Sequence, residues 1–242
     1  MPQHRIFITG DTHGNIDIGK VTTRRWPEQK QLTRKDILIV CGDMGCVWDG
    51  AGSDRYVQRW WSKKPFTVCF VDGNHENHER LNQYPVEQWN GGKIHRIGEN
   101  IIHMMRGQVF RINGKTFYTM GGAHSIDKAY RTPYVSWWPE EVPSASEWRE
   151  GFCNVTAEGD WVDFVITHEG PAGIVRHICR REFQQDSVSG AHDAFARSVS
   201  FGHWFFGHHH VDVTGGRYTA CFDKIHELVD DVTGESKIIE AV

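Results

Sequence analysis

Apolar residues in this 242-residue chain gather in short runs, and most of those runs end abruptly at a glycine beside polar side chains. Residues 5–9 (RIFIT) form a β-rich run that stops at Gly10-Asp11-Thr12-His13-Gly14. Residues 36–41 (DILIVC) are almost continuously apolar, as expected of a strand covered on both faces, and they stop at Gly42-Asp43. Residues 66–71 (FTVCFV) repeat the pattern and stop at Asp72-Gly73-Asn74-His75-Glu76. Before that third run, residues 53–64 read as a helix, with Ser53 as its N-cap and Tyr56, Val57, Trp60 and Trp61 on one face. This rhythm of strand, loop, helix and strand indicates a parallel α/β unit.

Midway the runs shorten. Residues 101–105, 108–112 and 115–120 are strand candidates, and Asn113-Gly114 between the last two is a strong hairpin signal, so antiparallel sheet is expected there. Residues 132–144 (TPYVSWWPEEVPS) read as an ordered loop, too short and aromatic for a linker. Residues 144–153 read as a helix capped by Ser144, with Glu147 three positions on. The α/β rhythm then resumes. A strand at 162–167 stops at His168, a helix is expected over 189–199, and a strand at 203–206 stops at Gly207-His208-His209-His210. Closing strands are expected at 217–221, 225–229 and 236–240, with Gly234 in a turn. No repeat or boundary divides the chain, so one domain over residues 1–242 is expected.

Composition mostly excludes. Hydrophobic residues make up 39% and charged residues 24%, which is ordinary for a globular protein. A net charge of −4 argues against a generally basic surface for nucleic acid, though not against a local groove. No apolar run approaches a membrane span, and residues 1–5 lead into no secretory signal, so no membrane association is expected and the cytoplasm is the expected compartment. The six cysteines form no Cys-x-x-Cys pair and read as buried free thiols. Histidine occurs 15 times, with several copies beside Asp, Gly or Asn.

Those neighbours carry the chemistry. Asp11, His13, Asp43, Asn74, His75, His168, His208 and His210 each sit just beyond a strand candidate. Sites in open α/β sheets form at the carboxyl ends of the strands, so these residues can converge from most of the chain's length. They offer oxygen and imidazole without thiolate, a set that suits manganese, iron or zinc in a catalytic centre better than a structural zinc. In an extended segment, two-residue spacing puts His208 and His210 on one face and turns His209 away.

The order Asp-x-His, Gly-Asp, Gly-Asn-His-Glu, His, Gly-His-x-His is carried by Asp11/His13, Gly42/Asp43, Gly73 to Glu76, His168 and Gly207 to His210. Over residues 11–210 it resembles the calcineurin-like metallophosphoesterase superfamily. The resemblance implies a four-layer α-β-β-α sandwich of two mixed sheets flanked by helices. It also implies a binuclear centre that hydrolyses a phosphate ester with a water activated between the metals. Asp11, His13 and His210 would hold one metal, Asn74, His168 and His208 the other, and Asp43 would bridge them. His75 would contact the scissile ester as general acid or charge stabiliser. The cofactors would be two metal ions, manganese first, with iron and zinc also fitting the donors. Glu76 and Asp212 are candidate partners for histidine ring nitrogens. Arg131 and His124 are candidate substrate contacts, and Tyr134, Trp137 and Trp138 are expected to pack a loop rather than line a cleft.

The chain departs from the protein serine/threonine phosphatases of that superfamily. Their Gly-Asp-x-x-Asp-Arg-Gly corresponds here to Gly42-Asp43-Met44-Gly45-Cys46-Val47-Trp48, without the arginine, and His78 stands where they carry a second one. It looks more like the small bacterial and phage metallophosphoesterases with a Gly-Gly-Ala-x-Ser-x-Asp loop, here Gly121 to Asp127. Three functions follow. A phosphomonoesterase or phosphodiesterase acting on a small molecule or nucleotide comes first. A nuclease or nucleic-acid phosphatase is disfavoured by the acidic charge. A non-catalytic scaffold is disfavoured by the complete donor set.

Overall fold

The computed structural model describes residues 4–180, 182–230 and 236–242, and the turn expected at Gly234 lies outside the described residues. In chain order, β1 (Ile6–Thr9), β2 (Ile37–Val40), β3 (Thr67–Phe70), β4 (Val86–Trp89), β5 (Gly92–Gly98) and β6 (Ile101–Met104) join a first sheet. A second sheet contains β7 (Gln108–Ile112), β8 (Lys115–Met120), β9 (Trp161–Thr167), β10 (Ser200–Phe206), β11 (Val213–Gly215) and β12 (Tyr218–Ala220). β13 (Ile225–Asp230) and β14 (Ser236–Glu240) return to the first. The strand orders are β14-β13-β1-β2-β3-β6-β5-β4 and β11-β12-β10-β9-β8-β7. Each sheet has a parallel centre, β1-β2-β3-β6 in one and β12-β10-β9-β8 in the other, with antiparallel strands outside it.

The unbroken apolar runs have a simple cause. Ile6, Ile8, Ile37, Ile39 and Cys69 face Phe110, Phe117, Phe164, Ile166 and Phe205 between the sheets. The alternate residues Phe7, Leu38, Val40, Val68 and Phe70 face outward and are covered by Trp26 and by Val57 and Trp61 of α1 (Gly52–Ser62). A single-turn helix, α2 (His78–Leu81), follows β3. Beyond the second sheet, Tyr118, Met120, Val165, Trp204 and Phe206 meet Val155, Val175 and Phe195. Those three lie on α3 (Ala145–Ala157), α4 (Ala172–Ile178) and α5 (Ser187–Ser198). The expected sandwich of two mixed sheets between helical layers is the fold observed. Among the described residues no helix is long and apolar enough to cross a membrane.

Local signals are realised where the chain closes on itself. Asn113 and Gly114 take φ of 52° and 77°, the paired positive angles of a tight hairpin between β7 and β8. Ser144 and Glu147 form a capping box at the start of α3. Ser53 is not the cap of α1. The helix begins one residue earlier, and the Asp49 carboxylate accepts from the Ala51 and Ser53 amides, at 2.6 and 3.3 Å. Its buried face carries Val57 and Trp61, while Tyr56 is exposed. The β4–β5 hairpin is absent from the expected elements, although Asn90-Gly91 (φ 50° and 94°) carries the same signal as Asn113-Gly114. β4 is too polar to read as a strand. Helix α4 also forms where the pattern predicts none. Of the cysteines, Cys41, Cys46, Cys69 and Cys221 are buried, whereas Cys153 is exposed on α3.

One buried residue sets an acid limit on the fold. His192 of α5 is fully buried between Trp148 and Trp204, at ring distances of 5.0 and 5.4 Å, and neither ring nitrogen has a partner. Burial pushes it down from 6.5 to about 4. As pH falls through that window the unfolded chain takes up a proton that the folded ring refuses, so stability drops and then levels off. His192→Leu should flatten the slope of unfolding free energy between pH 6.5 and 4 by about 1–3 kcal/mol. Denaturant melts at several pH values would check this, and an unchanged slope would contradict it.

Candidate metal centre

The parallel strands of both sheets bring their carboxyl ends to one edge of the sandwich. Asp11, Asp43 and the 73–76 loop follow β1, β2 and β3, while His168 and residues 208–210 follow β9 and β10. The turns are sharp. Among the described residues, nine non-glycine positions have positive φ, and four are candidate donors: His13 (42°), Asp43 (48°), His208 (66°) and His210 (50°). Such conformations cost roughly 1–3 kcal/mol each and persist where surrounding structure imposes them. Two glycines make room. A Cβ on Gly42 (φ 91°) would stand 2.1 Å from His168 Nδ1, and one on Gly73 would stand 2.1 Å from Asp43 Oδ1.

Among the described residues, three donor groups have all their ligand atoms within 4.8 Å of one another: Asp11/His13/His210, His13/Asp43/His75 and Asp11/Asp43/His168. Asp43 Oδ2 lies 3.3 Å from His13 Nε2 and 3.4 Å from His168 Nε2, so Asp43 sits between the other donors. Asp11 Oδ2 lies 3.1 Å from His210 Nε2. Asn74 Oδ1 is 3.1 Å from His168 Nε2. His208 is set back from these groups. Its ring packs 4.9 Å from His168 and its Nε2 faces Glu169 at 3.7 Å. His75 is anchored by its backbone, whose N–H donates to Asp43 Oδ1 at 2.8 Å.

The hydrogen positions test whether a cation fits. His168 Nδ1 lies 2.8 Å from the Cys41 carbonyl, so that nitrogen carries the donated hydrogen. His13 Nδ1 likewise donates to Asp17 Oδ2 at 2.7 Å. The Nε2 lone pairs of both rings are then left facing Asp11 Oδ2, Asp43 Oδ2 and Asn74 Oδ1, which are acceptors too. Asp11 Oδ2 is fully buried and makes no well-directed hydrogen bond. With both rings neutral, lone pairs converge here, and positive charge is the missing element. The titration behaviour agrees. Burial alone would lower His168 and His13, yet Asp43 and Asp11 push them up to about 10 and about 9, so without a metal the rings take up protons that supply the charge a cation would bring. Burial opposes ionisation of Asp43 and Asp11, but the histidines hold both below the usual carboxylate range. The donor set fits a pair of metal ions, with imidazole nitrogens and carboxylate and amide oxygens as ligands.

The outer partners differ from those expected. Glu76 accepts from the amides of Gly45 and Gly73, at 3.0 and 2.5 Å, and braces two loops rather than a histidine. Asp212 accepts from the amides of Phe222, Asp223 and Lys224, fixing Phe222 where it stacks 4.8 Å from the His210 ring. Asp17 is the carboxylate on a donor histidine, four residues after His13, a spacing that could have been read from the sequence. Lys20, almost fully buried, donates to the backbone carbonyls of Asp11 and Phe222. Glu169 accepts from His209 at 2.7 Å and also faces His208 Nε2 at 3.7 Å, so neighbouring rings share one carboxylate, and the positive φ of His208 and His210 replaces the extended segment expected there.

Of the substrate candidates, Arg131 is brought in and His124 is not. The two terminal nitrogens of Arg131 each lie 3.1 Å from one ring nitrogen of His75, and Asp127 holds the guanidinium at 2.8 Å. His124 instead bonds Ser187 Oγ at 2.8 Å. Trp138 is buried against Trp48, so packing is its role, whereas Tyr134 is exposed. Burial, aided by Arg131, holds His75 below the ordinary histidine range.

A profile of the calcineurin-like phosphoesterases matches residues 4–212. The chain belongs to that family. This calcineurin-like phosphoesterase is by class a metal-dependent phosphoric ester hydrolase. It is similar to lariat debranching enzyme A of Xenopus laevis, at 24% identity over 86% of this chain and 43% of the relative. It is also similar to the lariat debranching enzyme of Danio rerio, at 22% identity over 86% of this chain and 40% of the relative. It thus spans less than half the length of these curated relatives. The solved structure of Thermus thermophilus sulfate thiohydrolase SoxB in complex with glycerol aligns over 99% of this chain and 56% of its own, at 11% identity and a TM-score of 0.45, too loosely to bear on the site. Replacing Asp43 with Ala in this phosphoesterase should remove the carboxylate shared by two of the three donor groups. Metal retained after dialysis should fall from two ions per chain to less than one, and two retained ions would refute the shared role.

Proposed function

We propose that the chain is a phosphodiesterase. The observation that carries this reading is a single guanidinium, Arg131, laid along His75 beside a cleft with apolar walls. The cleft, about 340 Å³, is lined by His13, Gly14, Asn15, Ile16, Gly45, Trp48, Ser53, Val57 and His75. No lysine or arginine is among those residues. A phosphomonoester carries a second negative charge near neutral pH and calls for more cationic contacts than one guanidinium. A diester carries one charge and two organic substituents, one of which fits against Ile16, Trp48 and Val57.

In this reading Asp11, His13 and His210 hold one metal, Asn74, His168 and His208 hold the other, and Asp43 joins them. Manganese comes first, with iron and zinc also compatible. When bound, the pair supplies Lewis-acid polarisation of the phosphoryl oxygens and a water acidified toward neutral pH. The protein's own groups do the rest. His75, fixed through its backbone hydrogen bond to Asp43, offers a ring N–H to the leaving oxygen: the neutral ring stabilises the developing charge by a hydrogen bond, and the protonated fraction gives that oxygen its proton. A neutral imidazole has one lone pair, so only one of the two Arg131–His75 contacts can be a hydrogen bond. Beyond those given to Asp127, to the Ser136 carbonyl and to one His75 nitrogen, one terminal N–H of the guanidinium is therefore left for a non-bridging phosphoryl oxygen.

A second reading, a nucleic-acid diester as substrate, is favoured by the lariat debranching relatives and by Tyr130 and Tyr134. These flank Arg131 in sequence and are 94% and 58% exposed, offering faces on which bases can stack.

Metal-stripped protein reloaded with manganese should hydrolyse bis-p-nitrophenyl phosphate faster than p-nitrophenyl phosphate; the reverse order would point to a monoesterase. On the diester, His75→Ala should lower kcat by about 10²–10⁴-fold with metal content unchanged. Arg131→Ala should mainly raise KM, by about 10-fold or more, as expected for a lost charged hydrogen bond. Full turnover by the His75 variant, or an unchanged KM for the Arg131 variant, would remove the assigned role. Faster cleavage of a branched than of a linear oligoribonucleotide would support the nucleic-acid reading, and no cleavage of either would end it.

A further inference from the structure

Ser125 and Glu141 lie outside the donor cluster, yet both are buried and join it through one side chain. Asn74 Nδ2 lies 3.1 Å from Ser125 Oγ. Ser125 Oγ lies 2.6 Å from Glu141 Oε2, and the Ser125 amide donates to Glu141 Oε1 at 2.8 Å. Glu141 is 0% exposed, and Ser125 and Asn74 are 3% exposed. The three residues are 51 and 16 positions apart, so only the fold brings them together.

We infer that Glu141 and Ser125 form a positioning relay that dictates which way round the Asn74 amide sits, and so presents its oxygen rather than its nitrogen to a metal. An asparagine amide has two ends of nearly equal shape and opposite hydrogen-bonding character. Flipped by 180°, it would aim its N–H donors at the lone pair of His168 Nε2 and could not coordinate. A carboxylate only accepts, so the Ser125 hydroxyl gives its one hydrogen to Glu141. Its oxygen then offers only lone pairs to Asn74, and the amide NH₂ must turn toward it. Oδ1 is thereby left facing His168 Nε2 at 3.1 Å.

The relay is itself held in place. Arg106, buried, donates from Nη2 to the backbone carbonyls of Glu140 and Glu141, at 2.9 and 3.3 Å. The same guanidinium binds Asp72 Oδ2 through Nη2 at 2.5 Å and Nε at 2.9 Å, two residues before Asn74. Arg106 thus ties the segment that carries Glu141 to the turn that carries Asn74. Gly122 leaves room for this, since a Cβ there would stand 2.3 Å from the Glu141 carbonyl.

This inference rests on Asn74 being a metal ligand, and the test separates the two claims. Manganese is titrated into the metal-stripped 242-residue chain by calorimetry, with electron paramagnetic resonance counting bound ions. Asn74→Ala should bind one of the two ions much more weakly; unchanged binding would overturn both the ligand assignment and the relay. Ser125→Ala should weaken one ion by about 10–100-fold, the usual scale for an outer partner of a ligand, and leave the other unchanged. Ser125→Thr, which keeps the hydroxyl, should restore it. Glu141→Gln keeps the shape but can donate to Ser125, freeing its hydroxyl to donate to Asn74 and flip the amide. It should be as damaging as Ser125→Ala, with a melting temperature near that of the parent. A carboxylate in place of the Asn74 amide presents oxygen either way round. In an Asn74→Asp background, therefore, Ser125→Ala should change manganese affinity less than about threefold, well below the scale for an outer partner. If Asn74→Ala loses an ion while Ser125→Ala and Glu141→Gln bind both normally, the relay is overturned and the ligand assignment stands. An equal loss from Ser125→Ala in the parent and in the Asn74→Asp background would also overturn it, because a merely structural role would not depend on the amide.

Discussion

Two buried carboxylates, Asp11 and Asp43, gather with the ring nitrogens of His13, His168 and His210, and the rest of the molecule is arranged around the positive charge that this cluster requires. Left alone, such a cluster would repel itself apart. It is kept together by hydrogen bonds on its outer side: His13 to Asp17, His168 to the Cys41 carbonyl, and the amides of His75 and His208 to Asp43 and Asp11. The two ring contacts direct each imidazole hydrogen away from the interior, and so leave a metal pair as the natural occupant.

The two-sheet architecture is what makes such convergence possible in backbone terms. Parallel strands in both sheets end at the same edge, so five short loops meet there without any one of them spanning far. The local cost remains visible as left-handed angles at His13, Asp43, His208 and His210. Those residues are held in place by a core in which both faces of each sheet are covered. Strain concentrated at the site and close packing beneath it are two aspects of one arrangement.

The segment from Gly121 to Ser144 connects the metal side of the site to its substrate side. Ser125 and Glu141 reach Asn74, and Arg131 reaches His75. Exposed Tyr130 and Tyr134 lie in the same segment. In the functions proposed above, substrate engagement by Arg131 and amide orientation by Glu141 would be properties of one loop, and Arg131 would be the cationic partner in a chain that departs from the usual arginine motif after Asp43.

Much of the fold is legible in the chain itself. Strand runs such as DILIVC, the Asn113-Gly114 turn and the Ser144 capping box depend on residues within a few positions of each other, and local chemistry decides them. The donor residues are legible for a related reason: each follows a strand, and a parallel α/β sheet gathers strand ends. The β4–β5 hairpin escapes such a reading because β4 is polar and is held by its partners rather than by its own pattern. The roles of Glu76 and Asp212 differ from those expected, and Ser125, Glu141 and Lys20 carry no local signal, because their partners, Gly73 beside Glu76 apart, are 9 to 202 residues away and a carboxylate's partner is not written in its neighbours. The sequence by itself determined which atoms could bind metal. Only the tertiary structure decided which way those atoms face, because the orientation of a ring or an amide is set by the hydrogen bond on its far side, and that partner arrives through folding.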